Sequence, residues 1–130
     1  MHIVPLAKQA VNILRELHPL TSQSSWVFPG VRTNGEPMSE NTVNAALRRL
    51  GYDRTMITAH GFRGMASTLL HECGWPSDVI ERQLSNAERN AVKAAYNHAE
   101  HLPVRRKVMQ AWADHLDALR TGAKVVSLRA

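Results

Sequence analysis

Cysteine is almost absent: the 130 residues hold one, Cys73, so no intrachain disulfide can form. That usage fits a reducing, cytoplasmic setting. No apolar run approaches the ~20 residues that span a bilayer, and the N-terminus lacks a signal-peptide pattern. There is no Gly-rich phosphate loop, which argues against ATP as a substrate. Ser67 and Cys73 fall inside a helical pattern with no nucleophile elbow around them, so serine or cysteine hydrolase chemistry has little to stand on. Internal repeats and low-complexity segments are also missing. What remains is an ordinary globular composition, 44% hydrophobic, with a formal charge of +5 and a pI near 10.0. This balance favours a polyanionic partner, DNA or RNA ahead of an anionic membrane surface. The alternative is a protein that is merely basic.

The pattern along the chain is mostly helical. His2-Ile3-Val4-Pro5-Leu6 has the look of a short strand with no partner before it, so upstream sequence or another chain is expected to supply the pairing. Ala10, Val11, Ile13, Leu14 and Leu17 fall at helical spacing between Lys8 and His18, and Pro19 is expected to end that helix. Residues 21–37, rich in Ser, Gly, Pro and Asn, predict a loop. Within it, Trp26-Val27-Phe28 are expected to anchor on the core. Ser39 is the expected N-cap of a helix carrying Val43, Ala46, Leu47 and Leu50, closed by Gly51 as a C′ residue. Arg48 and Arg49 in its last turn suit either the helix dipole or a phosphate.

The next helix is expected to begin at Thr58 or His60 and run to Cys73, with Phe62, Met65, Ala66, Leu69 and Leu70 as its apolar face. A short helix over 77–84 carries Val79, Ile80 and Leu84. A further helical turn is expected over 91–96. Pro103 suits a first helical position, and Val108, Met109, Trp112, Leu116 and Leu119 stripe the last helix. Residues 121–130 form a small basic tail, expected to be mobile.

Three features bear on chemistry. His60 and Arg63 stand at i and i+3 near a helix N-terminus, one face apart by a single turn. Free backbone amides and the dipole at such an end favour an anion. Arginine offers phosphate planar, bidentate donors, and histidine can donate a hydrogen bond or move a proton near neutral pH. A surface cap is the competing account of this pair. Tyr96 is a candidate nucleophile, although a phenol with a pKa near 10 needs cations beside it. The competing account is a half-buried core tyrosine. His98 and His101, with Glu100 between them, raise a metal site, but no second ligand cluster at a suitable spacing accompanies them.

The order of these pieces resembles the tyrosine recombinases, the phage and prophage integrase family. Thr58-Ala59-His60-Gly61-Phe62-Arg63 looks like the family's His-x-x-Arg box. Ile80-Glu81-Arg82-Gln83-Leu84-Ser85-Asn86 looks like the helix and loop that follow it. Ala94-Ala95-Tyr96-Asn97-His98 looks like the nucleophile segment. The flanks at residues 2–6, 38–42 and 105–110 agree, so the resemblance covers nearly the whole chain.

The resemblance implies a mainly α fold: the helical C-terminal portion of the integrase catalytic domain over residues 1–120, with a short N-terminal β element. It implies site-specific DNA recombination through a 3′-phosphotyrosyl intermediate on Tyr96, with Arg63 clamping the non-bridging oxygens. His60 would hydrogen-bond the phosphate or assist proton transfer. No cofactor or metal is implied. The implied partners are double-stranded attachment-site DNA and further copies in a tetramer. Met109, Trp112 and Leu116 would then either dock on a neighbouring protomer or pack on their own core. Two departures stand out. Asn86 occupies the position of the family's second His or Trp. The family's other catalytic Arg and its hairpin Lys belong upstream of a strand like residues 2–6, so the chain alone is expected to cleave DNA poorly. Two alternatives remain: a non-catalytic DNA-binding remnant of an integrase, and a small helix-turn-helix regulator, for which no short-turn recognition pair is evident.

Overall fold

The computed structural model describes residues 3–31, 35–85 and 101–122. Asn86, Tyr96, His98, the helical turn expected over 91–96 and most of the basic tail lie outside the described residues. Five helices are seen among them: α1 Lys8–Thr21, α2 Thr42–Arg49, α3 Ala59–Glu72, α4 Ser77–Gln83 and α5 Leu102–Arg120. The fold is mainly helical, as the apolar spacing predicts. By contact, the chain divides into two compact units, Met1–Ala10 with Gly64–Ala130, and Val11–Arg63.

In the first unit the core is small and aliphatic. Leu70 of α3, Val79 and Ile80 of α4 and Val108 of α5 are buried together, with Trp75, Leu84, Val104 and Trp112 packed against them. Trp112 thus follows the core alternative, and its ring stacks on His115 with centroids 5.7 Å apart. Leu116 and Leu119, further along the same stripe, stay exposed. The last turn of α3 closes as a glycine should close it: Gly74 takes φ +80° and the Trp75 amide reaches back to the Leu70 carbonyl.

The N-terminal segment is extended and pairs with no strand among the described residues, as its sequence leads one to expect. Pro5 and Ala7 are buried while Val4 and Leu6 are exposed, so the in-and-out alternation of an extended chain is present. No ladder forms there among the described residues. Pro5 has no amide to give, and the Ile3 carbonyl is taken by the Arg105 guanidinium instead of by a neighbouring strand. The only β pairing among the described residues is one bridge, Pro29 with Pro37.

In the second unit, three local expectations are corrected. Pro19 lies inside α1 rather than ending it. A proline near a helix end removes a single amide, and the last turn is kept by Ser22 N–H to the His18 carbonyl (2.8 Å) and Thr21 Oγ1 to the Leu17 carbonyl (3.4 Å). Ser39 does not cap α2, which starts three residues later. Its Oγ accepts the Asn41 amide and its carbonyl the Thr42 amide, making a turn ahead of the helix. Trp26, Val27 and Phe28 do not reach a core: each is about half exposed, and the Trp26 indole donates to the Gly35 carbonyl within the loop (2.9 Å). Gly51 does close α2, with φ +91°.

Candidate active site

Residues 53–58 form the approach to α3, and polar bonds fix this approach. The Asp53 carboxylate accepts from the Thr55 hydroxyl (2.6 Å) and from the Thr55 and Met56 amides. Those bonds hold its carboxyl below the usual aspartate range, the hydroxyl contributing most. Arg48, from the end of α2, spreads its guanidinium over the Tyr52 and Ile57 carbonyls. Besides the two roles expected from sequence, it ties α2 to the approach of α3.

The start of α3 is capped from two sides. Asn44 Oδ1 accepts the Ala59 amide (2.9 Å) and Thr58 Oγ1 accepts the Gly61 amide (3.0 Å). Two of the amides expected to be free for an anion are therefore taken. His60 and Arg63 stand one helical turn apart, His60 exposed and Arg63 half-buried. Phe62 and Met65, expected on the buried face, remain 43% and 40% exposed, so the helix surface around this pair is open.

The segment carrying the other two candidates, Asn86 and Tyr96, lies outside the described residues, but both of its ends are described. α4 stops at Gln83, and Ser85 follows with a left-handed backbone, φ 54°, the C′ conformation. α5 begins after His101, also left-handed at φ 57°, with Pro103 in its first turn. Two polar links join these ends. His101 Nε2 lies 3.2 Å from Asp78 Oδ2. Arg105 Nε donates to Gln83 Oε1 (2.9 Å), while its Nη2 reaches the Ile3 carbonyl. Arg105 is fully buried, and burial, reinforced by the nearby Arg82 charge, lowers its pKa from the ordinary arginine value. Among the described residues no group of three His, Cys, Asp or Glu could hold a metal ion. No described helix is long and apolar enough to cross a membrane.

The Arg105 clamp and the Asn44 cap were not foreseen from sequence. Arg105 had a signal: it stands three, four and seven residues before Val108, Met109 and Trp112, on the apolar stripe itself, where a charged residue must find partners. The Asn44 cap had none, because it joins residues fifteen apart.

Comparison with known proteins follows the same lines. The model of the Phage integrase family matches residues 1–102. The chain is 52% identical over 130 residues to the integrase of Enterobacteria phage P4, a match covering 98% of this chain and 29% of that protein. Prophage integrase IntA of Escherichia coli K12 is 41% identical over 126 residues, 97% of this chain and 30% of its own length. The integrase of Shigella phage Sf6 is 40% identical over 118 residues, 90% and 30%. The chain therefore spans about three-tenths of the length of these relatives. No solved structure matches it.

Proposed function

The chain belongs to the phage integrase family, and from that premise we propose that it supplies the nucleophile and half of the phosphate clamp in a site-specific DNA recombinase. Tyr96 Oη attacks the scissile phosphorus, the bond to the 5′-oxygen breaks, and the departing oxygen takes a proton. The product is a 3′-phosphotyrosyl link with a free 5′-hydroxyl. A 5′-hydroxyl from a partner strand attacks that link, the tyrosine leaves, and the phosphodiester is restored. Arg63 holds the non-bridging oxygens as charge develops on them. His60 donates to the phosphate or moves the tyrosine proton. Asn86, at the family's second imidazole or indole position in sequence, donates to the same oxygens. Neither metal nor nucleotide enters the balance. The observation that carries this reading is His60 and Arg63 one turn apart at a helix start two of whose amides are capped. The proposal extends to duplex attachment-site DNA as partner, to a tetramer on that DNA, and to action in the cytoplasm.

The family's second catalytic Arg and hairpin Lys find no counterpart in these residues. A nicked suicide duplex carrying the P4 attachment sequence tests the point. A chimaera in which this chain replaces the matching 29% of the P4 integrase is expected to trap a covalent protein–DNA adduct. The chain alone is expected to trap little. No adduct from a folded chimaera overturns the assignment, and efficient capture by the isolated chain overturns the incomplete site.

A second reading, a DNA-binding remnant without chemistry, is favoured by one residue, Asn86. An amide can donate to a phosphate oxygen but cannot supply a proton as imidazolium does. In the chimaera, Asn86→His is expected to raise the rate of adduct formation about 10²-fold, the low end of general acid–base effects because the amide already donates. An unchanged rate shows that no proton passes through this position.

A further inference from the structure

Between α2 and the approach to α3, the second unit holds an open cleft of about 570 Å³ lined by Asn41, Asn44, Ala45, Arg48, Arg54 and Thr58. Its chemistry is one-sided. Two arginines line it and no carboxylate does. Two acidic residues adjoin the lining in sequence, Glu40 beside Asn41 and Asp53 beside Arg54, and the Asp53 carboxylate accepts from the Thr55 hydroxyl and the Thr55 and Met56 amides. Two acceptor oxygens of the lining residues are engaged: Asn44 Oδ1 caps the Ala59 amide and Thr58 Oγ1 caps the Gly61 amide. With Oδ1 held by the helix start, the Asn44 amide group is left to present its N–H donors. Arg48 spends its donors on two carbonyls yet keeps its full positive charge in the cleft wall. Arg54 is exposed.

A pocket of fixed donors and positive charge, open along its length, suits a phosphate within a polymer rather than an enclosed small molecule. One of its lining residues, Thr58, stands two residues before His60 in sequence. We propose that this cleft is a second phosphate seat, holding the sugar-phosphate backbone of duplex DNA next to the phosphate bound by His60 and Arg63. The inference rests on the DNA-recombinase reading and adds Asn44, Arg54 and Thr58 to it. These residues hold the backbone in register and take no part in bond making.

The test is anisotropy of a fluorescein-labelled random-sequence duplex titrated with the 130-residue chain between about 50 and 200 mM salt. Each phosphate contact contributes about 0.9 to the slope of log affinity against log salt. Arg54→Ala is expected to bind more weakly throughout and to lose about that much slope. Asn44→Asp keeps the oxygen that caps Ala59 but replaces the donor with a negative charge, so it is expected to weaken binding while its melting temperature holds. Matched controls on the exposed side of α1, Arg15→Ala and Asn12→Asp, make the same charge changes away from the cleft and are expected to lose less. Cleft variants that bind like the wild type, or no worse than these controls, overturn the seat while leaving the DNA reading intact. A wild-type chain with no salt-dependent binding overturns both.

Discussion

Replacing Arg105 with alanine is expected to destabilise the chain by about 3–5 kcal/mol, the range for removing one partner of a buried polar link. Three losses combine. The Gln83 side-chain oxygen loses its donor in a buried place and the Ile3 carbonyl in a partly buried one, and an unsatisfied buried acceptor costs about 1–3 kcal/mol. The fully buried side chain also leaves a void. Against these stands one gain, relief of the desolvation that already lowers the Arg105 pKa. The losses dominate because the guanidinium joins the N-terminal segment to the end of α4. For a chain of this size the loss corresponds to a drop of roughly 10–20 °C in melting temperature. Arg105→Met, which fills the volume without the charge, is expected to recover about half of it, since apolar replacement of buried charge is often tolerated. Calorimetry of the three proteins decides the matter: an alanine variant melting within a few degrees of the wild type means the clamp is not structural. In the chimaera the same change should slow adduct formation beyond its effect on folding, because Gln83 and Arg105 fasten both ends of the segment bearing Tyr96.

The helices were legible because their signals are local. The stripe of α5, Pro103 in its first turn, and the glycines after α2 and α3 each act within a few residues of where they stand. The errors share a different cause. Ser39 is a sound cap by type, but the turn it makes with Asn41 and Thr42 delays the helix. Pro19 breaks a helix interior, not a last turn in which a serine amide and a threonine hydroxyl take up the carbonyls. Trp26 and Phe28 look like anchors only if a core lies under them, and nothing in residues 21–37 could say that it does not. At the candidate site, spacing put His60 and Arg63 on one turn, and the order of the family's boxes made them candidates. What holds the pair was not legible: Asn44 and Arg48 act across fifteen and nine residues, and such distances carry no periodic trace.

Tyr96→Phe is expected to abolish the covalent protein–DNA adduct in the chimaera while leaving DNA affinity within about tenfold, since one neutral hydroxyl contributes only about 0.5–1.5 kcal/mol even where it is bonded. The contrast follows from what each group does. A phenol ordinarily titrates near pH 10, so forming phenolate at pH 7 costs about 4 kcal/mol unless positive charge or a proton acceptor stands beside it. In the proposed mechanism the Arg63 guanidinium and the His60 imidazole, one turn apart on α3, reduce that cost. None of that assistance has an object once the oxygen is gone, and phenylalanine offers no atom to bond to phosphorus. Arg63→Ala should behave differently from Tyr96→Phe. It removes transition-state stabilisation and a phosphate contact together, so adduct falls steeply without vanishing, and the salt slope of binding becomes shallower by about one contact. Adduct that persists at the wild-type level in Tyr96→Phe, and maps to another residue by peptide sequencing, would move the nucleophile elsewhere and leave His60 and Arg63 as a phosphate-binding pair alone.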